Sequence, residues 1–243
     1  MTAAPRSMLG RLDGPLQAWG THSRFELRDT GRYPTFSGIT GVIAAALGYD
    51  REQPLGPLAD IDVAVRADDP GRMLRDYQTV GVGGWLSASG KVTTGQPKLS
   101  ERFYLSGAVF AFAVGHPDPG MLEEIEHALR RPHWPVYLGR RCCMPAAPLG
   151  IGLSAQHPAA ALETLPYQGH RPRTPPTATV VATSGDGTGT TVQDVPVGAF
   201  ADRVYLTRKV RVHTIALPQP ENRHADPYGL SRRSDDADDP YRL

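Results

Sequence analysis

Residues 103–114 read FYLSGAVFAFAV, and this run limits the fold more than any other. Its aromatic and β-branched residues favour extended backbone, and apolar side chains fall at both parities. A strand with two apolar faces needs cover on both, so it belongs at the centre of a sheet packed between other layers. The chain has 243 residues, 40% of them hydrophobic, enough for one large domain or two small ones. Twenty-six glycines and 23 prolines cut it into short elements and favour strands over long helices.

Two helices are expected beside that strand. In residues 31–48 (GRYPTFSGITGVIAAALG), Ile39, Val42, Ile43, Ala46 and Leu47 recur at helical spacing and give one buried face. Ser37 stands where an N-cap belongs, and Gly48 closes the C-terminus. Asp118 caps a second helix that starts at Pro119 and buries Met121, Leu122, Ile125, Ala128 and Leu129. Its early glutamates and late arginines suit the helix dipole and are read as a solvated face.

Residues 8–12 open the core, and Asp13-Gly14-Pro15 turns sharply out of it. Ile61, Val63 and Val65 alternate with Asp62, Ala64 and Arg66, the pattern of a half-buried strand, and residues 73–80 return from it. Residues 135–141 (PVYLGRR) read as a fourth strand. Strand, helix, strand, strand, helix, strand is an α+β, ferredoxin-like order, shared with RNA-recognition motifs. The aromatic RNA-binding consensus of those motifs is not evident, so RNA would lie on loops and a hairpin rather than on the sheet.

Beyond residue 148, proline-rich turns separate short strands. Residues 177–183 and 190–195 form a hairpin around SGDGTG. Residues 203–217 are one long strand, with Val204, Leu206, Val210 and Val212 on one face and Arg203, Lys209, Arg211 and His213 on the other. From about residue 221 the chain is charged and poor in apolar groups, which predicts a disordered or weakly docked tail. The expected division is therefore 1–148, 149–220 and 221–243.

The net charge is only +1, so any nucleic-acid site must be a local patch. The loop ahead of the first helix carries Arg24, Arg28, Arg32 and Tyr33, and a helix start attracts anions. Residues 77–100 contain no carboxylate, and hold Trp85, Lys91 and Lys98. That suits a phosphate-facing hairpin, or equally an idle surface loop. Arg140 and Arg141 follow Gly139 and are either a phosphate grip or an ordinary surface pair. Glycines around Trp19 imply backbone that must approach something closely, or a tryptophan packed under a tight turn.

Other classes find little support. No apolar run is long enough for a membrane span, and no secretory h-region is visible. Adjacent Cys142 and Cys143 read as reduced thiols of a cytoplasmic protein. There is no P-loop, no G-x-S-x-G, no H-E-x-x-H and no cysteine cluster, so no cofactor and no metal are expected. His22, near the basic loop, is either a general base toward an RNA hydroxyl or a hydrogen-bonding surface residue. The residues alone read as a nucleic-acid-binding protein.

Several blocks in register carry a resemblance: LDGPLQAWG (12–20), RDTGRYPTFSG (28–38), AAALG (44–48), RDYQTV (75–80), and YLGRRC (137–142) followed by Pro145. From about residue 8 to about 217 the chain resembles the CasD-like (Cas5) family of type I-E CRISPR effectors. The resemblance implies a ferredoxin-like domain with a protruding β-hairpin thumb, here about 80–102, and a smaller β-rich C-terminal region. It implies a non-catalytic subunit of Cascade, the ribonucleoprotein complex of antiviral DNA interference. Such subunits cap the 5′ handle of the crRNA, contact the backbone and large subunits, and meet target DNA only through the complex. Carried onto this sequence, the RNA-facing residues are Gln17, Trp19, Arg24, Arg28, Arg32, Tyr33, Thr35, Ser37, Gly38, Lys91, Lys98, Arg102, Arg140 and Arg141. A subtype I-C relative cleaves precursor RNA with a tyrosine, a lysine and a histidine. The alternative reading is thus a metal-independent endoribonuclease, with His22, Tyr33 and Lys91 as the residues to suspect.

Overall fold

The computed structural model describes residues 4–20, 26–81, 83–87, 89–94, 97–171 and 175–218. The first part runs β1 (Ser7–Asp13), β2 (Leu16–Gln17), β3 (Leu27–Arg28), α1 (Phe36–Leu47), β4 (Asp62–Asp69) and β5 (Arg72–Val80). It continues with β6 (Trp85–Leu86), β7 (Val92–Thr93), β8 (Lys98–Ser106), β9 (Val109–Gly115) and α2 (Pro119–Arg130). The chain closes with β10 (Gly150–Ser154), α3 (Pro158–Thr164), β11 (Thr177–Thr183), β12 (Thr190–Val197) and β13 (Val204–Ala216).

One sheet has the order β10-β1-β9-β4-β11-β13-β12, with every neighbouring pair antiparallel. Helix α1 lies on the connection from β1 to β4, and α2 on that from β9 to β10. The two helices bury Ile39, Ile43, Leu122 and Ile125 against Met8, Leu12, Phe110 and Phe112 on one face of the sheet. Helix α3 covers the other face, joining Leu9, Ala64, Ala111 and Ala113 to Ala161, Leu162 and Val180. Every residue of β9 is buried as a result, which is the central position expected for this run.

The run 103–114 is nevertheless two strands. The chain breaks at Gly107, whose φ of 64° favours glycine, and β8 belongs to a second sheet. There β5 and β8 form a long antiparallel ladder, from Arg72 opposite Ser106 to Val80 opposite Lys98. The short β6–β7 pair continues it outward. The hairpin thus begins at Arg72 rather than near residue 80. Strands β2 and β3 pair along β8 as well.

Three further expectations are corrected. Residues 135–141 are not a strand. Gly139 has φ 91°, the Leu138 N–H donates to the Cys143 carbonyl at 2.8 Å, and the Cys143 N–H donates to the Arg140 carbonyl at 2.8 Å. The chain loops there, and β10 is the strand that pairs with β1. Strand β4 is not half-buried, because only Asp62 is exposed. On β13, Val204, Leu206 and Val212 of the expected apolar face are exposed, and only Val210 is buried.

The burial of β4 has a specific cause. The Arg66 guanidinium is fully buried and donates Nε and Nη2 to the Asp68 carboxylate at 2.6 and 2.8 Å. It also donates to the carbonyls of Leu162, Leu165 and Pro166, which follow or end α3. Asp69 accepts the Tyr167 hydroxyl and the His170 N–H, both at 2.8 Å. The whole 162–171 segment is thereby strapped across the sheet. Burial pushes the Tyr167 hydroxyl up to about 12, and its bond to Asp69 acts the same way. The expected tail from residue 221 lies outside the described residues.

Candidate nucleic-acid interface

Four separated segments meet at one end of α1. They are the 18–20 turn, the 28–38 loop and helix start, the 139–140 loop, and Phe200 with Tyr205. Together they line an open cleft of about 310 Å³ that includes Trp19, Arg28, Thr35, Ser37, Gly38 and Arg140. Six of the sequence-predicted residues are thus brought to one place. Close backbone contacts hold the segments together. The Ala18 N–H donates to the Leu138 carbonyl at 3.0 Å, and Gly31 donates to the Trp19 carbonyl at 2.7 Å. Any side chain at Gly139 would collide with the Ala18 carbonyl, 1.8 Å from a Cβ placed there.

The residues play different parts from those the sequence suggests. Gln17 and Trp19 are buried. The Gln17 amide donates to the Leu12 and Ala108 carbonyls at 3.0 and 2.8 Å and accepts the Trp19 indole N–H at 3.0 Å. Of the two readings of Trp19, packing under a turn is the one observed. Gly38 is needed because a Cβ there would lie 2.8 Å from the Trp19 ring. The N-cap of α1 is Thr35, not Ser37. Its hydroxyl accepts the Gly38 N–H at 3.1 Å.

The helix start already holds an anion, and it is the protein's own. The Phe36 N–H donates to Asp194 at 2.8 Å, and Arg208 pairs with that carboxylate through Nε at 2.7 Å and Nη2 at 3.0 Å. The Arg208 guanidinium also lies 5.2 Å over the Phe36 ring. Sequence reasoning missed this pair, because Asp194 and Arg208 sit on two strands far from α1 in the chain.

Arg140 is likewise committed inside the protein. It donates to the carbonyls of Phe103, Arg28 and Asp29 at 3.0, 2.7 and 3.0 Å, and stacks 4.6 Å over the Tyr104 ring. It clamps the 28–29 loop onto β8. Burial, then a hydrogen bond with Cys142, raises the Tyr104 hydroxyl above its ordinary range. Cys143 is buried and Cys142 exposed, both as free thiols.

The exposed cations are others. Arg28, Arg32 and Arg141 are exposed, and no side-chain hydrogen bond or ion pair engages them among the described residues. Arg32 and the half-buried Tyr33 line a neighbouring groove that shares Thr35 with the cleft; Tyr33 also meets Phe110 edge-on. On the hairpin, Lys91 is exposed near the tip, Lys98 sits 5.0 Å over the Trp85 ring, and Arg102 donates to Ser100 at 3.1 Å. These three lie on a different element from the cleft. Arg24 and His22 fall outside the described residues. Phe200 and Tyr205 line the cleft and were not anticipated; the alternation in VYLTRKVRV marks the strand but not what Tyr205 faces.

Among the described residues, no three of His, Cys, Asp and Glu are grouped as a metal site, and no helix is long and apolar enough to cross a membrane.

Comparison with known proteins places this architecture. Residues 8–214 match the family described as CRISPR-associated protein (Cas_Cas5). The chain belongs to the Cas5 family of CRISPR-associated proteins. It is 37% identical over 166 residues to the CRISPR system Cascade subunit CasD of Escherichia coli strain K12, covering 63% of this chain and 73% of that one. A crystal structure of a Cas protein superposes with a TM-score of 0.71 at 32% identity, over 89% of this chain and all of the other. A chain of a CRISPR RNA-guided surveillance complex does so with a TM-score of 0.74 at 33% identity, over 87% of this chain and 91% of that one.

Proposed function

We propose that this chain is a non-catalytic subunit of a cytoplasmic, Cascade-type CRISPR effector, and that it caps the 5′ handle of the crRNA. Its β10-β1-β9-β4 unit with α1 and α2 is read as the ferredoxin-like domain, and the β5–β8 hairpin as the thumb. Strands β11–β13 are read as the β-rich C-terminal region, here joined edge-on to the same sheet. The neighbouring backbone and large subunits are the expected protein partners, with target DNA met through the complex.

The observation that carries the reading is the set of uncommitted arginines: Arg28 in the lining of a cleft assembled from four chain segments, Arg32 on the adjoining groove, and Arg141 next to the cleft's Arg140 in the chain. A fold that spends Arg140, Arg208 and Arg66 internally, yet leaves these three in water, keeps them for an outside anion. Replacing all three by glutamate should abolish binding of repeat-derived RNA and leave the melting temperature unchanged. Each single change to alanine should lower the slope of log affinity against log salt by about one. Unaltered RNA retention by the triple variant would overturn the reading. Recovery of the bound RNA uncut is expected, and a single-site cut by the purified chain would overturn the non-catalytic part.

A further inference from the structure

Resting on that RNA-capping reading, we propose that the cleft receives one unstacked base of the strand, not a phosphate, and that Tyr205 and Phe200 are its stacking surface. The two positions most suited to phosphate are filled by the protein. Asp194 occupies the start of α1, with its charge matched by Arg208. The Arg140 guanidinium is spent on three backbone carbonyls. A phosphate at either position would meet a resident carboxylate or a guanidinium with no donor to spare, which leaves Arg28 as the uncommitted guanidinium in the cleft lining.

What remains in the cleft suits a flat ring. Phe200 and Tyr205 line it while staying partly exposed, Trp19 forms its buried floor beneath Gly38, and the Ser37 hydroxyl is at hand for a base edge. Its volume of about 310 Å³ has room for a single base with its sugar, at the low end for small-ligand sites. Sequence-tolerant stacking of this kind is how proteins commonly hold single-stranded nucleic acid. The sugar–phosphate chain would then pass along Arg28 and, in the adjoining groove, Arg32.

The test measures binding of the full chain, co-expressed with its partner subunits, to repeat-derived RNA carrying an abasic nucleotide at each handle position in turn. One position should weaken binding about ten-fold, the size of a lost stacked base. Tyr205→Ala should weaken binding of intact RNA by a similar factor with no change in salt slope, and Tyr205→Phe should restore it. The two losses should not add when combined. If Tyr205→Ala lowers the salt slope, the cleft holds a phosphate and the proposal fails. It fails also if no abasic position couples to Tyr205. Photocrosslinking of the unaltered protein through 5-iodouridine gives a check that needs no variant: adducts are expected on Tyr205 or Phe200, and adducts confined to the hairpin would overturn the proposal. Absence of any RNA binding by the unaltered complex would instead sink the RNA-capping reading itself.

Discussion

Strands β9 and β5 are both regular antiparallel strands, and they live in opposite surroundings. Every residue of β9 is buried, whereas β5 has no buried residue and exposes Met73, Leu74, Tyr77 and Val80. The first is held by its own core. The second is held by backbone pairing with β8 and carries apolar side chains that the fold itself does not cover. Met73 and Tyr77 stand on one face of the strand, and Leu74 and Val80 on the other. The difference separates the part of the molecule that stabilises it from the part that is presented outward.

That contrast is broken most directly by truncation. Phe112→Ala, in the middle of β9, should cost about 3–5 kcal/mol of unfolding free energy, because it opens a cavity in a core with nothing to fill it. Tyr77→Ala on β5 should move stability by no more than about 0.5 kcal/mol. Chemical denaturation of both variants decides the matter, and a large loss at Tyr77 would mean the hairpin is part of the core. Of similar size is Asp68→Ala, which strands the Arg66 charge in the interior at about 3–5 kcal/mol.

A smaller step compares two neighbouring arginines. Arg140→Ala removes three hydrogen bonds and a ring contact, and should cost about 2 kcal/mol while loosening the 28–29 loop. Arg141→Ala removes no side-chain hydrogen bond or ion pair among the described residues and should leave stability unchanged while weakening RNA binding. Equal effects on stability would erase the distinction between the clamp and the free cation. Below that, Thr35→Ala should cost about 1 kcal/mol as the loss of a helix cap, and Ser37→Ala less.

These pairs also show what the sequence could and could not reveal. The centrality of β9, the N-cap of α2 and the strands β11 to β13 were readable, because periodicity and turn chemistry are local. The burial of Arg66 was not. Its alternation with Val63 and Val65 describes one covered face, and nothing nearby announces that α3 and the 165–171 segment will cover the other. The loop at 135–141 was hidden for a related reason. PVYLGRR has strand composition, but Gly139 is there to let the chain turn against Ala18. At the cleft the residue types were legible and their roles were not. Whether an arginine faces water or a carbonyl depends on partners far away in the chain, and so did the fate of Gln17 and Trp19.

The finest contrast lies between two adjacent thiols. Cys143 is buried, its carbonyl accepts the Leu138 N–H, and its thiol is pushed up to about 11 by burial and by the neighbouring Cys142 sulfur. An unfolded cysteine ionises near pH ~8.5. Between that pH and about 11 the unfolded chain releases a proton that the folded chain retains. Mass action then favours the unfolded chain, so this contribution to stability is complete below pH ~8.5 and is lost as pH rises toward 11. Tyr104 and Tyr167 are raised as well, so they add to the loss only once unfolded tyrosine begins to ionise, near pH ~10. Denaturation midpoints taken at pH 8, 9 and 9.5 should therefore fall in the unaltered chain and stay flat in Cys143→Ala. At pH 8 iodoacetamide should modify exposed Cys142 and spare Cys143 until the chain is unfolded. Equal labelling of the two in the folded protein would mean that the 138–143 loop opens freely, and the cleft that leans on Gly139 would then lack a fixed wall.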